Sequence, residues 1–227
     1  MRKNNTNSAN VEHPEVTVDV LIFTISDNKL KIILTKRGKD PFKGYWALPG
    51  VFVNMNESLL DAASRALKEK TGVEIEKVYL EQLYTFGELS KNSKSRVVTV
   101  AYFVLSNNYK LTPIKSPSVR ELNLFSVNRL PELAFNHKMI IKKAVDRLRS
   151  KIEYSNIVLG LLPEKFRLSD MQKTYEIILN AKLDKRNFRK KMLGLKLLQP
   201  VGEKDLQGAH RPAMLYRFIS KKTILFD

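Results

Sequence analysis

The order of apolar and polar residues divides the chain into strand-like and helix-like stretches. Val16 to Ile25 and Lys29 to Arg37 are two β-rich runs around Ser26-Asp27-Asn28, a pattern that predicts a hairpin. Gly44, Pro49 and Gly50 then punctuate a loop that carries Trp46 and Leu48. After Asn56 the period becomes helical. Leu59, Ala62, Ala63, Ala66 and Leu67 recur three and four apart, and Gly72 ends the run as a helix C-terminus prefers. Strand-like stretches return at Ile75 to Phe86, Arg96 to Leu105 and, more weakly, Glu121 to Val127. Pro131 opens a long predicted helix, Glu132 to Arg149, with Leu133, Met139, Ile140, Ala144, Val145 and Leu148 on its apolar side. Mixed strands with an embedded helix predict an α/β sandwich.

The remaining residues read as two short helices and a β-ribbon. Ser169 with Gln172 three residues later has the spacing of a capping box, followed by Met171, Tyr175, Ile178 and Leu179 on one face. After Asn180 to Leu183, Asp184 is placed to cap a second helix. In that helix Phe188, Met192, Leu193 and Leu195 face inward while Lys185, Arg186, Arg189 and Lys190 face out. A loop from Gly202 to Arg211, containing Gly208 and His210, leads into a returning strand at Ala213 to Phe218. The outline is a winged helix-turn-helix, with a basic hairpin tip beside a recognition helix. Such a helix fits the DNA major groove, where arginine contacts guanine with two hydrogen bonds. The expected organisation is a tail over 1–14, rich in Asn, Ser and charge, an α/β domain over 15–152, and the winged helix over 153–227.

Composition narrows the class. With 43% hydrophobic residues over 227 positions the chain can bury one large core or two modest ones, which excludes disorder. It has no cysteine, so a disulfide framework and thiolate metal sites are excluded and a cytoplasmic location is expected. No apolar run is long enough for a membrane span, and the N-terminus lacks a secretion signal. The net charge of +17 favours a polyanionic partner. From Tyr154 onward 15 Lys/Arg stand against 7 Asp/Glu, about twice the excess density of the preceding residues, which puts that partner on the winged helix.

The segment GYWALPGVFVNMNESLLDAASRALKEKTGV (44–73) carries the other chemical signal. It resembles the Nudix box. Glu57, Arg65, Leu67, Glu69, Gly72 and Val73 fall in register, after a Leu48-Pro49-Gly50 lead-in. Three positions depart from that pattern: Val51 replaces the box glycine, Ala66 the first Glu of the helix trio, and Lys70 the last. The resemblance implies a Mg²⁺ site built from that trio, because Mg²⁺ takes an octahedron of oxygens and polarises the phosphoryl group. Ala66, Glu69 and Lys70 sum to zero charge where the pattern has three negatives. An ammonium about 4 Å from a divalent ion is repelled by roughly 8 kcal/mol at an effective dielectric of about 20. Metal-dependent hydrolysis is therefore expected to be lost or very weak, with Mg²⁺ a cofactor only if hydrolase activity is retained. Lys70 is expected to pair instead with a phosphate or carboxylate of a bound ligand.

Box and winged helix together resemble the Nudix-related transcriptional regulators, the group of the NAD-metabolism repressors and arabinose-responsive regulators. The runs LDKRNFRKKML, GAHRPAMLYRF, YLEQLYTFG, RVVTVAYF and LPELAFNHKMI carry that resemblance along most of the chain. It implies a Nudix-like α/β/α sandwich with a C-terminal winged helix. It also implies a homodimer on a palindromic double-stranded operator, released or tuned by a small effector, either ADP-ribose or a pentose. By position, Lys185, Arg186, Asn187, Arg189 and Lys190 would contact DNA, with His210 and Arg211 on the wing. The expected effector residues are Glu57, Arg65, Glu69 and Lys70, then Arg37, Trp46 and Arg96. Arg65 paired with Glu69 to stiffen the helix, and Trp46 as core, remain open readings. His137 is expected to pack or to lie at an interface. Two rivals are an active nucleotide-sugar pyrophosphohydrolase, with Glu81 or Glu88 rebuilding the metal site, and an RNA-binding protein. The latter lacks an evident aromatic platform for single strands.

Overall fold

A computed structural model describes residues 13–73, 79–87, 96–107, 118–205 and 213–226. Most of the expected N-terminal tail, Glu88, and the wing residues His210 and Arg211 lie outside the described residues.

The first part is one mixed sheet between two helices. Strands β1 (Glu15–Ser26) and β2 (Lys29–Arg37) form the expected hairpin, with Asp27 and Asn28 at φ 51° and 56° in its turn. The short β3 (Trp46–Ala47) and β4 (Gly50–Phe52) follow, then helix α1 (Leu59–Thr71) and strands β5 (Tyr79–Phe86), β6 (Val97–Leu105) and β7 (Val119–Ser126). The order is β3-β2-β1-β6-β5, with β4 also paired to β1 and β7 to β2; the β1–β6 pairing is parallel. Alternation along β1 supplies both cores. Val18, Val20 and Ile22 pack with Ala62, Ala63, Ala66 and Leu67 of α1, while Leu21 and Phe23 face the opposite layer with Phe103 and Leu105.

That opposite layer is α2 (His137–Tyr154), which buries Ile140, Ile141, Ala144, Val145, Leu148 and Ile152. It starts five residues later than the sequence predicts. Glu132 to Ala134 are held instead against β3, where the Trp46 amide donates to the Glu132 carbonyl (3.3 Å) and the Ala134 amide to the Trp46 carbonyl (2.8 Å). Those bonds hold the segment out of helical geometry until His137. Met139, expected on the apolar side, is exposed.

The core does not stop at the end of α2. A 3-10 turn at Ile157–Leu161 lies on the sheet edge so closely that a Cβ on Gly160 would sit 2.8 Å from Leu105 Cβ. The same apolar cluster continues through Phe166, Met171, Tyr175, Ile178, Phe188, Met192 and Tyr216. Around it fold β8 (Phe166–Arg167), α3 (Leu168–Leu179), α4 (Lys185–Gly194), β9 (Leu198–Asp205) and β10 (Ala213–Phe218), with sheet order β8-β10-β9. Arg149 Nε also donates to the Ile178 carbonyl at 3.0 Å, tying α2 to α3. The α3 cap differs from expectation: the Asp170 carboxylate accepts the Arg167 amide at 3.1 Å, and Gln172 reaches the Leu183 carbonyl at 2.9 Å instead. Among the described residues no helix is long and apolar enough to cross a membrane.

Candidate functional site

Helix α1 is held at both ends by its own sequence. Ser58 Oγ accepts the Asp61 amide at 3.1 Å and the Asp61 carboxylate accepts the Ser58 amide, while Gly72 closes the helix at φ 73° with its amide on the Lys68 carbonyl. Between these caps Arg65 reaches backward rather than along the helix. Its Nε and Nη2 donate to the two carboxylate oxygens of Glu57 at 3.0 and 2.6 Å, and Nη2 also reaches the Phe52 carbonyl at 2.7 Å. Glu69, the partner expected from the i,i+4 spacing, is only a second contact at 3.7 Å. Arg65 thus clamps the β4–α1 loop to the helix.

Glu57 is consumed by this clamp. The Arg65 guanidinium and the Asn54 amide hold its carboxyl at about 2, from an ordinary 4.5. A carboxyl depressed in this way contributes stability that is present above about pH 4.5 and lost as pH falls from there toward 2. Replacing Glu57 with Gln is expected to remove this acid-side dependence. Thermal midpoints of wild type and variant, compared from pH 7 to pH 3, should converge as pH falls; a constant gap would place the Glu57 contribution elsewhere.

Lys70 occupies the end of the box. Its half-buried Nζ donates to Ser118 Oγ at 2.7 Å, and the Ser118 carbonyl in turn accepts the Gly38 amide. Burial lowers its pKa; Glu69 opposes that, and the positive charges of Arg65, Arg37 and Lys39 add to it. The charges of Arg65, Arg37 and Lys39 thus reach Lys70, with Glu69 as the half-exposed acid that opposes them. Arg37 sits at the end of β2, its Nε on the Pro41 carbonyl (2.8 Å) and its guanidinium 4.8 Å over the Phe135 ring. Ser118 and Lys39 are members that sequence reasoning missed. Nothing in the linear pattern of the SPS stretch places Ser118 here; the β2–β7 pairing does.

This donor set does not fit Mg²⁺. Ala66 is fully buried against the sheet, Lys70 brings an ammonium, and Glu57 already accepts three hydrogen bonds. Among the described residues no three His, Asp or Glu side chains group to hold a metal. Glu81 does not rebuild the site. It lies on the other face of the sheet, opposite Phe103 on β6, and binds Lys151 and Arg147 of α2 and the Tyr79 hydroxyl. Trp46 is also in that layer, packed edge-on against Phe125 at 4.6 Å with Lys36 over its ring. Arg96 is exposed at the start of β6, at the sheet end where Val53 meets Val16. His137 is buried, its Nδ1 accepting the Leu48 amide at 2.9 Å and its Nε2 3.4 Å from Asp19, as a packing residue would be.

The second candidate site is α4. Asp184 caps it as the sequence predicts, accepting the Asn187 amide at 2.8 Å. Phe188 meets Tyr175 at 5.3 Å and, with Met192, roots the helix in the core. Lys185, Arg186, Asn187, Arg189, Lys190 and Lys191 are all exposed, and no acidic residue interrupts that face. Glu176 orients the turn before it by accepting the Leu183 amide at 2.9 Å, while Gln172 holds the Leu183 carbonyl. A rigid, cationic helix beside a three-stranded ribbon can enter a DNA groove and be read there.

Comparison with known proteins resolves the family. The NUDIX domain matches residues 15–148, and the NrtR DNA-binding winged helix domain matches residues 158–218. The ADPR responsive transcriptional repressor NtrR of Acinetobacter baylyi is 37% identical over 209 residues, 90% of this chain and 82% of that protein. The chain belongs to the NrtR family. The NrtR of Shewanella oneidensis, solved with a 27mer DNA, superposes with a TM-score of 0.77 at 35% identity, covering 89% of this chain and 93% of that one. Its NUDIX domain, solved with ADP ribose, gives 0.56 at 36% identity over 63% and 94%. The Nudix part of this NrtR-family chain is also similar to the ADP-ribose pyrophosphatase of Methanocaldococcus jannaschii, 37% identical over 57% of this chain and 72% of that enzyme.

Proposed function

We propose that this chain is an ADP-ribose-responsive transcriptional repressor of the cytoplasm. In this reading it is a homodimer whose winged helices hold a palindromic operator and whose Nudix domain binds ADP-ribose without hydrolysing it. The observation that carries the reading is Lys70: an ammonium hydrogen-bonded to Ser118 stands where the box calls for a carboxylate. With the charges of Arg37 and Lys39 acting in the same region, this end of the box offers a diphosphate the charge compensation that a metal would otherwise supply. Lys185, Arg186, Asn187, Arg189 and Lys190 form the DNA-contacting face, with His210 and Arg211 on the wing. Relatives that respond to ADP-ribose support this effector over a pentose.

An effector switches DNA affinity only through different affinities for two arrangements of the dimer. Two recognition helices must stand roughly 34 Å apart to enter successive major grooves on one face of the duplex. Because the α2 core runs unbroken into α3 and α4, a rotation between Nudix domains would move the recognition helices with them.

A gel shift with duplex from the protein's own promoter region tests the reading. The expected result is a specific complex that ADP-ribose dissociates and arabinose does not. Incubation of ADP-ribose with Mg²⁺ and the protein should release AMP at no more than background rates. Turnover near the roughly 10 s⁻¹ typical of enzymes would make it a hydrolase instead.

A further inference from the structure

After β10 the chain turns back to the junction of the two domains, where residues 222–226 meet the end of α2. Asn156, 1% exposed, receives them. Its Nδ2 donates to the Lys222 carbonyl at 3.2 Å, its Oδ1 accepts the Ile224 amide at 2.6 Å, and its backbone amide donates to the Ile224 carbonyl at 3.1 Å. The Phe226 amide adds a bond to the Tyr154 carbonyl at 2.7 Å, and Leu225 forms a β-bridge with the fully buried Ser155. With the Leu159 amide on its own carbonyl, Asn156 has every polar atom engaged.

Packing does not account for this clasp. Lys222, Thr223 and Leu225 are exposed, and Ile224 and Phe226 are half-buried. The segment is held by its backbone, and a buried side-chain amide, costly unless fully paired, is placed to receive it. The Nudix side of the clasp is firm. Lys151 and Arg147 bind Glu81 on β5, and Ser155 Oγ donates to the Lys151 carbonyl at 2.6 Å. Residues 222–226 thus tie the exit of β10, and with it the β9–β10 ribbon, to the last turn of α2 through bonds separate from the apolar core under α3 and α4.

The other end of α2 meets the box. His137, its first residue, accepts the Leu48 amide at 2.9 Å and stands 3.4 Å from Asp19. Gly50 approaches that carboxylate so closely that a Cβ would fall 2.1 Å from its Oδ1. Helix α2 has 18 residues and is therefore a rod of roughly 27 Å, bonded to the Leu48-Pro49-Gly50 lead-in at one end and to the clasp at the other. Rigid elements of this kind carry coupling between distant sites. We infer that Asn156 is a positioning residue of the switch: by tying residues 222–226 to α2, it lets a displacement of the box loop on effector binding reach the β9–β10 ribbon. This rests on the reading of the chain as an ADP-ribose-responsive repressor and assigns how its input reaches the DNA-binding side.

The experiment measures coupling in the full-length protein. Operator affinity is titrated with and without ADP-ribose, and ADP-ribose affinity with and without operator duplex; linkage makes the two ratios equal. Wild type is expected to show a ratio in the range of roughly 5- to 150-fold found for coupled sites. Asn156→Ala removes the side-chain half of the clasp, and Ile224→Pro removes the Ile224 amide from the opposite side while leaving Asn156 intact. Both variants should bind either ligand alone like wild type, with the ratio reduced to about twofold or less. Leu225→Ala, which removes an exposed side chain and no clasp bond, should keep the wild-type ratio. If Asn156→Ala does not fold, Ile224→Pro decides. Wild-type ratios in the clasp variants overturn the inference and leave the repressor reading intact. Loss of operator affinity in the absence of effector makes the clasp a part of the fold alone and also overturns it. A collapsed ratio in Leu225→Ala assigns the segment to another contact and counts against the clasp. Wild type whose operator affinity ADP-ribose does not change removes the switch and the inference together.

Discussion

Replacing Arg186 and Arg189 together with alanine is expected to weaken operator binding on the order of a thousandfold at fixed salt, with no loss of folding. Each arginine that reads a base edge contributes roughly 1–3 kcal/mol, so two removed together account for about three decades in affinity. Folding is spared because both side chains are exposed, while Phe188 and Met192 on the opposite face of α4 carry the packing. Fluorescence anisotropy at two salt concentrations separates the roles. Loss of a phosphate contact lowers the salt slope by about one per residue, whereas loss of a base contact relaxes discrimination between operator and unrelated duplex. A double variant that binds the operator like wild type would remove α4 as the recognition helix.

Lys70→Glu is the second large expected effect, and its sign is informative. The substitution restores a carboxylate that the Nudix box calls for, yet the prediction is loss of effector binding rather than gain of an enzyme. An ammonium and a phosphate oxygen about 4 Å apart attract by roughly 4 kcal/mol at an effective dielectric of about 20, and reversing one charge turns that into repulsion. Allowing for screening at a half-exposed position, ADP-ribose affinity should fall at least about a hundredfold, and ADP-ribose should no longer release the operator. Hydrolysis should not appear, because Ala66 remains buried against the sheet and Glu57 remains bound to Arg65. Lys70→Met, which keeps the bulk without either charge, separates loss of attraction from loss of the Ser118 contact. If the Glu variant were released from DNA at the wild-type ADP-ribose concentration, Lys70 would be a structural partner of Ser118 and not part of the pocket.

Most of the elements were legible because local rules and tertiary packing agree. The Asp27-Asn28 turn, the alternation of Val18, Val20 and Ile22 with Leu21 and Phe23, Gly72 after α1 and Asp184 before α4 all satisfy a short-range need that the fold also uses. Legibility failed where a distant strand outbid a local preference. Glu132 to Ala134 read as helix but pair with β3, and Ser169 read as a cap although the carboxylate of its neighbour Asp170 takes that role by accepting the Arg167 amide.

The candidate site shows the same division more sharply. The box register, the missing Glu at 66, the Lys at 70 and the basic outer face of α4 are facts of residue type and spacing, so the sequence alone determined that a Nudix-like module with a damaged metal trio is joined to a basic helix and ribbon. Partnership was not determined there. Spacing pairs Arg65 with Glu69, but the chain turns back at Asn54 and presents Glu57, which offers two oxygens to the guanidinium at once. Glu81 and Trp46 are near in sequence to plausible roles and sit in the opposite layer, because strand alternation sends them through the sheet. Ser118 and Phe135 reach Lys70 and Arg37 from 48 and 98 positions away, brought there by the β2–β7 pairing and the β3 contact. Local interactions are encoded by neighbours within a turn or a strand and can be read in one dimension; a pocket is closed by long-range pairing, and only the folded chain decides which charges meet in it.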